Sequence, residues 1–193
     1  MDKQFIFPTQ VFRATYDDAQ NLKSKIVPLF LQKEKDDKSP IRYTANGYTS
    51  YGMSNILELP DLEDLKTFID TTVAEAHKDI KLAMNPSLSA SWFSINRKYT
   101  YHEAHNHLPD IWSGVYYVQA DRDHPGLTLV NKNRQANWPR CGVTELHEAN
   151  TPQVTCGVET GTLLIFPSYL EHKVEQQTVD KERVTIAFNY GVN

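Results

Sequence analysis

The feature that most constrains this chain is a change of texture near residue 89. From there on, short runs rich in β-branched and aromatic residues (89–99, 111–119, 127–131, 162–166, 172–176 and 183–190) are separated by the turn formers Pro109, Pro125-Gly126, Gly161 and Pro167-Ser168. Many short strands behind a helical segment predict a mainly β fold with flanking helices, a jelly-roll sandwich whose N-terminal helices pack on one sheet. The helical segment comes first. Leu62, Leu65, Phe68, Ile69, Val73, Ala76 and Ile80 recur at a spacing of three to four, and Asp61 stands where a cap is expected. A second helix is expected to start near Asp17 or Asp18 and to carry Leu22, Ile26 and Phe30, with Pro28 kinking or ending it. Residues 41–53, rich in Tyr, Thr, Ser and Gly, read as loop or edge strand. Residues 131–157 read as a long polar insertion, a functional loop rather than core. The expected organisation is one domain over 1–193, with a helical and edge-strand part at 1–88 and a jelly-roll core at 89–193.

Composition removes several function classes. A chain of 193 residues can bury a full core, and its net charge of −4 gives no counterion-release drive toward nucleic acid. The start, MDKQFIFPTQVF, lacks the basic opening and long apolar run of a signal peptide, and the longest apolar stretches are far too short to span a membrane. Cys141 and Cys156 are expected to be reduced thiols. These features predict a soluble, cytoplasmic protein with neither nucleic acid nor membrane as partner, and they are compatible with a homodimer.

The histidines are unevenly placed. Three of the seven, His102, His105 and His107, fall within six residues. In an extended segment side chains two apart face the same way, so His105 and His107 can reach one point together. A third ligand has to come from elsewhere. His172 is the candidate, because it follows the apolar run Leu163-Leu164-Ile165-Phe166 and the turn Pro167-Ser168, where a histidine has no packing reason to be. His77, read as lying on the polar side of its helix, and His124, in a turn, are expected at the surface. Trp138, Arg140 and His147 are either a substrate mouth or the ordinary content of a polar loop.

The order of these parts is informative. His105-x-His107, then Ser113-Gly114-Val115-Tyr116-Tyr117-Val118, then the run from Gly161 to Pro167, then His172, then Arg183-x-Thr185 eleven residues on, resembles the 2-oxoglutarate/Fe(II) dioxygenase superfamily. The closest likeness is to a small branch of oxygenases with an HxH, SGVYY and FPxxxxH pattern, and it extends upstream to Phe7-Pro8, Trp92 and Asn96. The resemblance implies a double-stranded β-helix of cupin-like form that holds one Fe(II). It also implies 2-oxoglutarate as cosubstrate, O2 as oxidant, and oxidation of a substrate C–H bond, by default hydroxylation, with release of succinate and CO2. It places His105 and His172 as metal ligands. Position 107, where the superfamily usually carries a carboxylate, is histidine, so the set differs from the usual two histidines and one carboxylate. Three neutral imidazoles leave the iron its full 2+ charge, where a carboxylate would lower it to a net 1+. Asp110 is the alternative third ligand, although the chain would have to turn back past Pro109 to deliver it. The resemblance further implies that Arg183 grips the far carboxylate of 2-oxoglutarate through a planar fork of donors, with Thr185 on the same face and Tyr117 assisting. Asn96 is a weaker candidate for the cavity. The rival readings are a three-histidine cupin-type dioxygenase that needs no 2-oxoglutarate, and a non-catalytic jelly roll that binds metal. The substrate, small molecule or peptidyl, is left unidentified.

Overall fold

The computed structural model describes residues 2, 4, 8–38, 40, 46–53, 55–132, 142, 144–147 and 150–192. Phe7, residues 41–45, Trp138, Arg140 and Cys141 therefore lie outside the described residues. Helix α1 (Ala19–Asp36) buries Leu22, Ile26 and Phe30 along one face. Pro28 sits inside it without ending it. The lost N–H costs one backbone bond, and the apolar face on either side still seats the helix on the sheet. Helix α2 (Glu63–Asp79) begins later than expected. Asp61 lies in the preceding 3-10 turn (Pro60–Leu62), and Leu62 occupies the cap position with no side-chain capping bond. Glu63 and Asp64 supply the negative charge that a helix N-terminus favours.

Ten strands follow or flank these helices: β1 (Phe12–Thr15), β2 (Gly47–Thr49), β3 (Pro86–Asn96), β4 (His102–His105), β5 (Trp112–Gln119), β6 (Leu127–Val130), β7 (Gln153–Cys156), β8 (Thr162–Pro167), β9 (His172–Val174) and β10 (Arg183–Val192). They form a six-stranded sheet in the order β1-β8-β5-β10-β3-β2 and a four-stranded sheet in the order β4-β9-β6-β7. Every pairing among the described strands is antiparallel. This is the expected jelly roll with both helices on one sheet. Strand β7 lies within the stretch expected to be a loop, and β1, a four-residue edge strand, had no distinct run of its own.

The six-stranded sheet is covered on both faces, and its strands divide accordingly. Phe93 and Ile95 of β3, Trp112, Tyr116 and Val118 of β5, Leu163 and Ile165 of β8, and Val184, Ile186, Phe188 and Tyr190 of β10 join the helices in one apolar cluster. Tyr117, Leu164 and Phe166 face the other way and meet Leu127 and Leu129 of the smaller sheet. Gly114 is required by this packing. A Cβ there would lie 2.2 Å from Phe188 Cζ and 2.9 Å from the Leu164 carbonyl. No described helix is long and apolar enough to cross a membrane.

Candidate active site

Between the sheets, a cavity of about 80 Å³ is lined from both sides. Strand periodicity sets which residues reach it: Trp92, Ser94 and Asn96 from β3, Ser113, Val115 and Tyr117 from β5, and Arg183, Thr185, Ala187 and Asn189 from β10. The smaller sheet contributes His102, His105 and His172, with His107 just beyond β4.

His105 and His172 are register partners on adjacent antiparallel strands. Opposed residues on neighbouring strands project on the same face, which brings the two rings together. The chain leaving β4 is held by His107 N–H donating to the Ser168 carbonyl at 3.0 Å, which keeps His107 beside the pair. One ring nitrogen from each of His105, His107 and His172 lies within 4.8 Å of the other two, and the ring centroids are 4.4 to 5.2 Å apart. His105 Nδ1 donates to the Glu103 carbonyl at 2.7 Å and His172 Nδ1 to the Leu170 carbonyl at 3.0 Å. A carbonyl can only accept, so both rings carry their proton on Nδ1 and present the Nε2 lone pair. Asp110 lies outside the group. Its Oδ1 accepts from Ser89 Oγ at 2.7 Å.

The electrostatics favour neutral imidazoles. Burial, then the neighbouring His105, push His107 down to about 4, with Asp110 opposing. Burial dominates again at His172, taking it to about 3 against the opposing Leu170 hydrogen bond, with His105, His107 and His102 adding to the fall. Unprotonated rings are what a divalent metal requires.

On the cavity wall Arg183 is buried, with 3 % of its surface exposed. Its Nη1 donates to the Pro125 carbonyl at 2.6 Å and its Nη2 to Asn96 Oδ1 at 3.3 Å, while Nε has no partner among the described residues. Both bonded acceptors are neutral. Burial pushes the guanidinium down, with Tyr117 opposing. Thr185 and Tyr117 are register partners beside it, and burial raises the Tyr117 phenol to about 12, with Arg183 partly offsetting, so it stays a neutral donor. A buried cation without a counter-charge is costly, and a ligand carboxylate would supply one. Three imidazole nitrogens within metal-ligand reach of one another and an unmatched guanidinium on the wall of the same cavity thus fit a metal chelated by a dicarboxylate.

Two histidines correct the surface expectation. His77 is 4 % exposed and accepts from Trp112 Nε1 at 3.1 Å. His124 is 5 % exposed, with Nδ1 accepting from the Asp121 N–H and Nε2 donating to the Lys181 carbonyl. Both act as packed polar spacers. His147 is exposed, and Cys156 is a free thiol. His102, Ser113 and Asn189 also line the cavity. Asn189 continues the Arg183, Thr185, Ala187 alternation, but was not singled out from the sequence.

The fold is a jelly roll with a histidine cluster and a buried arginine in the cavity between its sheets. A profile of the family described as "Putative 2OG-Fe(II) oxygenase" matches residues 90–189, just over half of the chain, and the chain belongs to that family. It is thus an oxidoreductase of the Fe(II)- and 2-oxoglutarate-dependent kind. No curated protein matches it in sequence. Among solved structures, HygX from Streptomyces hygroscopicus with nickel and 2-oxoglutarate bound is similar at a TM-score of 0.65 and 12% identity, over 96% of this chain and 83% of that one. AviO1 from Streptomyces viridochromogenes Tue57 is similar at 0.64 and 13%, over 95% and 90%. The epimerase SnoN in complex with Fe3+, alpha ketoglutarate and nogalamycin RO is similar at 0.68 and 12%, over 95% and 79%. At such identities the likeness establishes the fold.

Proposed function

We propose that this oxygenase is a hydroxylase in which His105, His107 and His172 hold one Fe(II), and Arg183, helped by Thr185 and Tyr117, holds the far carboxylate of 2-oxoglutarate. Residues 1–193 work in this reading as one cytoplasmic oxygenase domain, as a monomer or homodimer, on a small-molecule or peptidyl substrate. When bound, iron and cosubstrate supply the oxidation, with O2 consumed, succinate and CO2 released and a substrate C–H bond oxidised. The chain's own part is placement. Three side-chain ligands leave coordination positions for cosubstrate and O2. The Glu103 and Leu170 carbonyls hold two of the rings in one tautomer. Phe166, edge-on to His172 at 4.7 Å, and Trp92, 5.7 Å from His107, pack against two of the rings. The proteins of similar fold that hold nickel or Fe3+ together with 2-oxoglutarate support the reading.

The observation that carries it is Arg183, a buried guanidinium on the cavity wall with only neutral partners. A dioxygenase independent of 2-oxoglutarate, or a non-catalytic metal site, would leave that charge without purpose. The test is anaerobic Fe(II) titration with and without 2-oxoglutarate, watching for the visible metal-to-cosubstrate charge-transfer band. Iron bound stoichiometrically with no band and no change in 2-oxoglutarate affinity on Arg183→Leu would overturn the assignment.

A further inference from the structure

Three buried polar side chains are left unused by the reading above. Ser113, Ser168 and Asn189 are 2, 0 and 5 % exposed. They form one chain: Ser113 Oγ donates to Asn189 Oδ1 at 2.9 Å and lies 2.8 Å from Ser168 Oγ. The single Ser113 proton goes to Asn189, so Ser168 donates to Ser113. With Oδ1 engaged, the Asn189 Nδ2 and its two protons point away from Ser113. Asn189 lines the cavity, and Nδ2 has no partner among the described residues. The Ser168 backbone accepts from His107 N–H and donates to the Ile111 carbonyl, so the segment that places His107 also orients this amide.

Trp92 stands beside it. It is the register partner of Ala187, two residues from Asn189 on the same face of the sheet. Its ring lies 5.7 Å from His107 and is braced edge-on by Tyr51 at 4.9 Å. Asn189 thus supplies neutral donors next to an aromatic face, and the cavity lining contains no carboxylate among the described residues. An amide donor fixed in this direction and open to the cavity can exchange a water for a ligand oxygen at little cost in reorganisation. An oxygen acceptor on the ligand would take that place, whereas an ammonium group would find no acceptor charge in the lining.

The geometry points to Asn189 as the residue that selects substrate, donating from Nδ2 to a carbonyl or hydroxyl oxygen of a neutral ring compound whose face packs on Trp92. This inference rests on the site being an Fe(II)/2-oxoglutarate centre. The Ser168–Ser113 relay makes Asn189 the fixed element, and Trp92 supplies the surface against which the ring is held.

The test uses the anaerobic enzyme loaded with Fe(II) and 2-oxoglutarate, titrated with two matched pairs: N-acetylglucosamine against glucosamine, and N-acetylphenethylamine against phenethylamine. Displacement of the charge-transfer band reports binding beside the metal. In each pair acetylation replaces a cation with a neutral carbonyl acceptor. The acetylated member of at least one pair is expected to bind about tenfold more tightly, the worth of one well-placed hydrogen bond. Asn189→Asp keeps an acceptor for Ser113 while removing the donor, and should abolish or reverse the preference. Asn189→Ala removes the donor without adding charge and should shrink the preference through weaker binding of the acetylated member, the amine being unchanged, which guards against a misfolded aspartate variant. Amines that bind as well as their acetylated partners, variants that keep the wild-type preference, or a band that no probe moves would each overturn the inference. Absence of the band before any probe is added would instead overturn the metal and cosubstrate reading beneath it.

Discussion

The two faces of β10 carry opposite chemistry on one backbone. Val184, Ile186, Phe188 and Tyr190 sink into the helix-backed core, while Arg183, Thr185, Ala187 and Asn189 line the cavity. A two-residue period is all that separates them. The first face is tightly packed, to the point that Gly114 must lack a side chain to admit Phe188. The second carries a buried charge whose Nε has no partner among the described residues, and an amide held by Ser113 through its oxygen alone. Stability is therefore expected to depend on the first set and ligand binding on the second, and substitutions along this strand can separate the two.

The largest effect should come from Phe188→Ala, which empties the core side. A loss of about 3–5 kcal/mol in unfolding free energy is expected from denaturant melts, as for other buried aromatic truncations. Equal stability would show that the helix-side face is not the main support. Arg183→Leu addresses the other face. It should weaken 2-oxoglutarate binding by about 2–5 kcal/mol, the range for truncating one partner of a buried charged pair. Fe(II) affinity should hold, and stability without ligand should be unchanged or raised, because a buried charge with no counter-ion has been removed. Calorimetric titration of metal and cosubstrate in separate runs checks this, and a large stability loss would erase the contrast. Tyr117→Phe sharpens it further, with about 0.5–1.5 kcal/mol lost from cosubstrate binding by removal of one neutral hydrogen bond, read in the same titration.

The smallest effect concerns pH and the metal-free protein. His102, His107 and His172 are held below the usual imidazole value, at about 4, about 4 and about 3, mainly by burial. Below pH 6.5 the unfolded chain therefore binds more protons than the folded one, so stability is full above that value and falls as pH drops toward 4 and then 3. Between pH 7.5 and 6.5 the three groups together should cost at most about 1 kcal/mol, since the unfolded histidines are then only half protonated. Thermal melts across that interval would show it, and a stability that rose on acidification would contradict the burial of these rings.

The sequence made the cavity face of β10 legible at its start, where Arg183 interrupts the polar turn before an apolar strand, and at Thr185 two positions on. It did not expose Asn189, because one asparagine near the end of a strand looks like an edge residue until its Ser113 and Ser168 partners, distant in sequence, are seen in contact. The histidine set was similarly divided. The spacing of His105 and His107 was readable, but pairing of β4 with β9 rather than across the sandwich depends on non-local hydrogen bonds that no local pattern encodes. His77 and His124 were misplaced for one reason: a polar side chain suggests solvent, and only the partners, Trp112 for one and the Asp121 and Lys181 backbone for the other, make burial affordable. Pro28 likewise signalled a break that the packing of Leu22, Ile26 and Phe30 overrode.

Strand β10 is the last of the ten in sequence, yet it lies between β5 and β3 at the middle of the larger sheet. During synthesis from the N-terminus, both neighbours leave the ribosome before the strand that must join them, and β3 waits for a partner about ninety residues downstream. Until then their inner edges are open and prone to pairing elsewhere. Arg183 and Asn189 arrive on that same closing strand. The nascent chain thus emerges with the histidines already made and the cavity wall opposite them still unbuilt, so on the proposed reading completion of the sheet and licensing of the chemistry are one event.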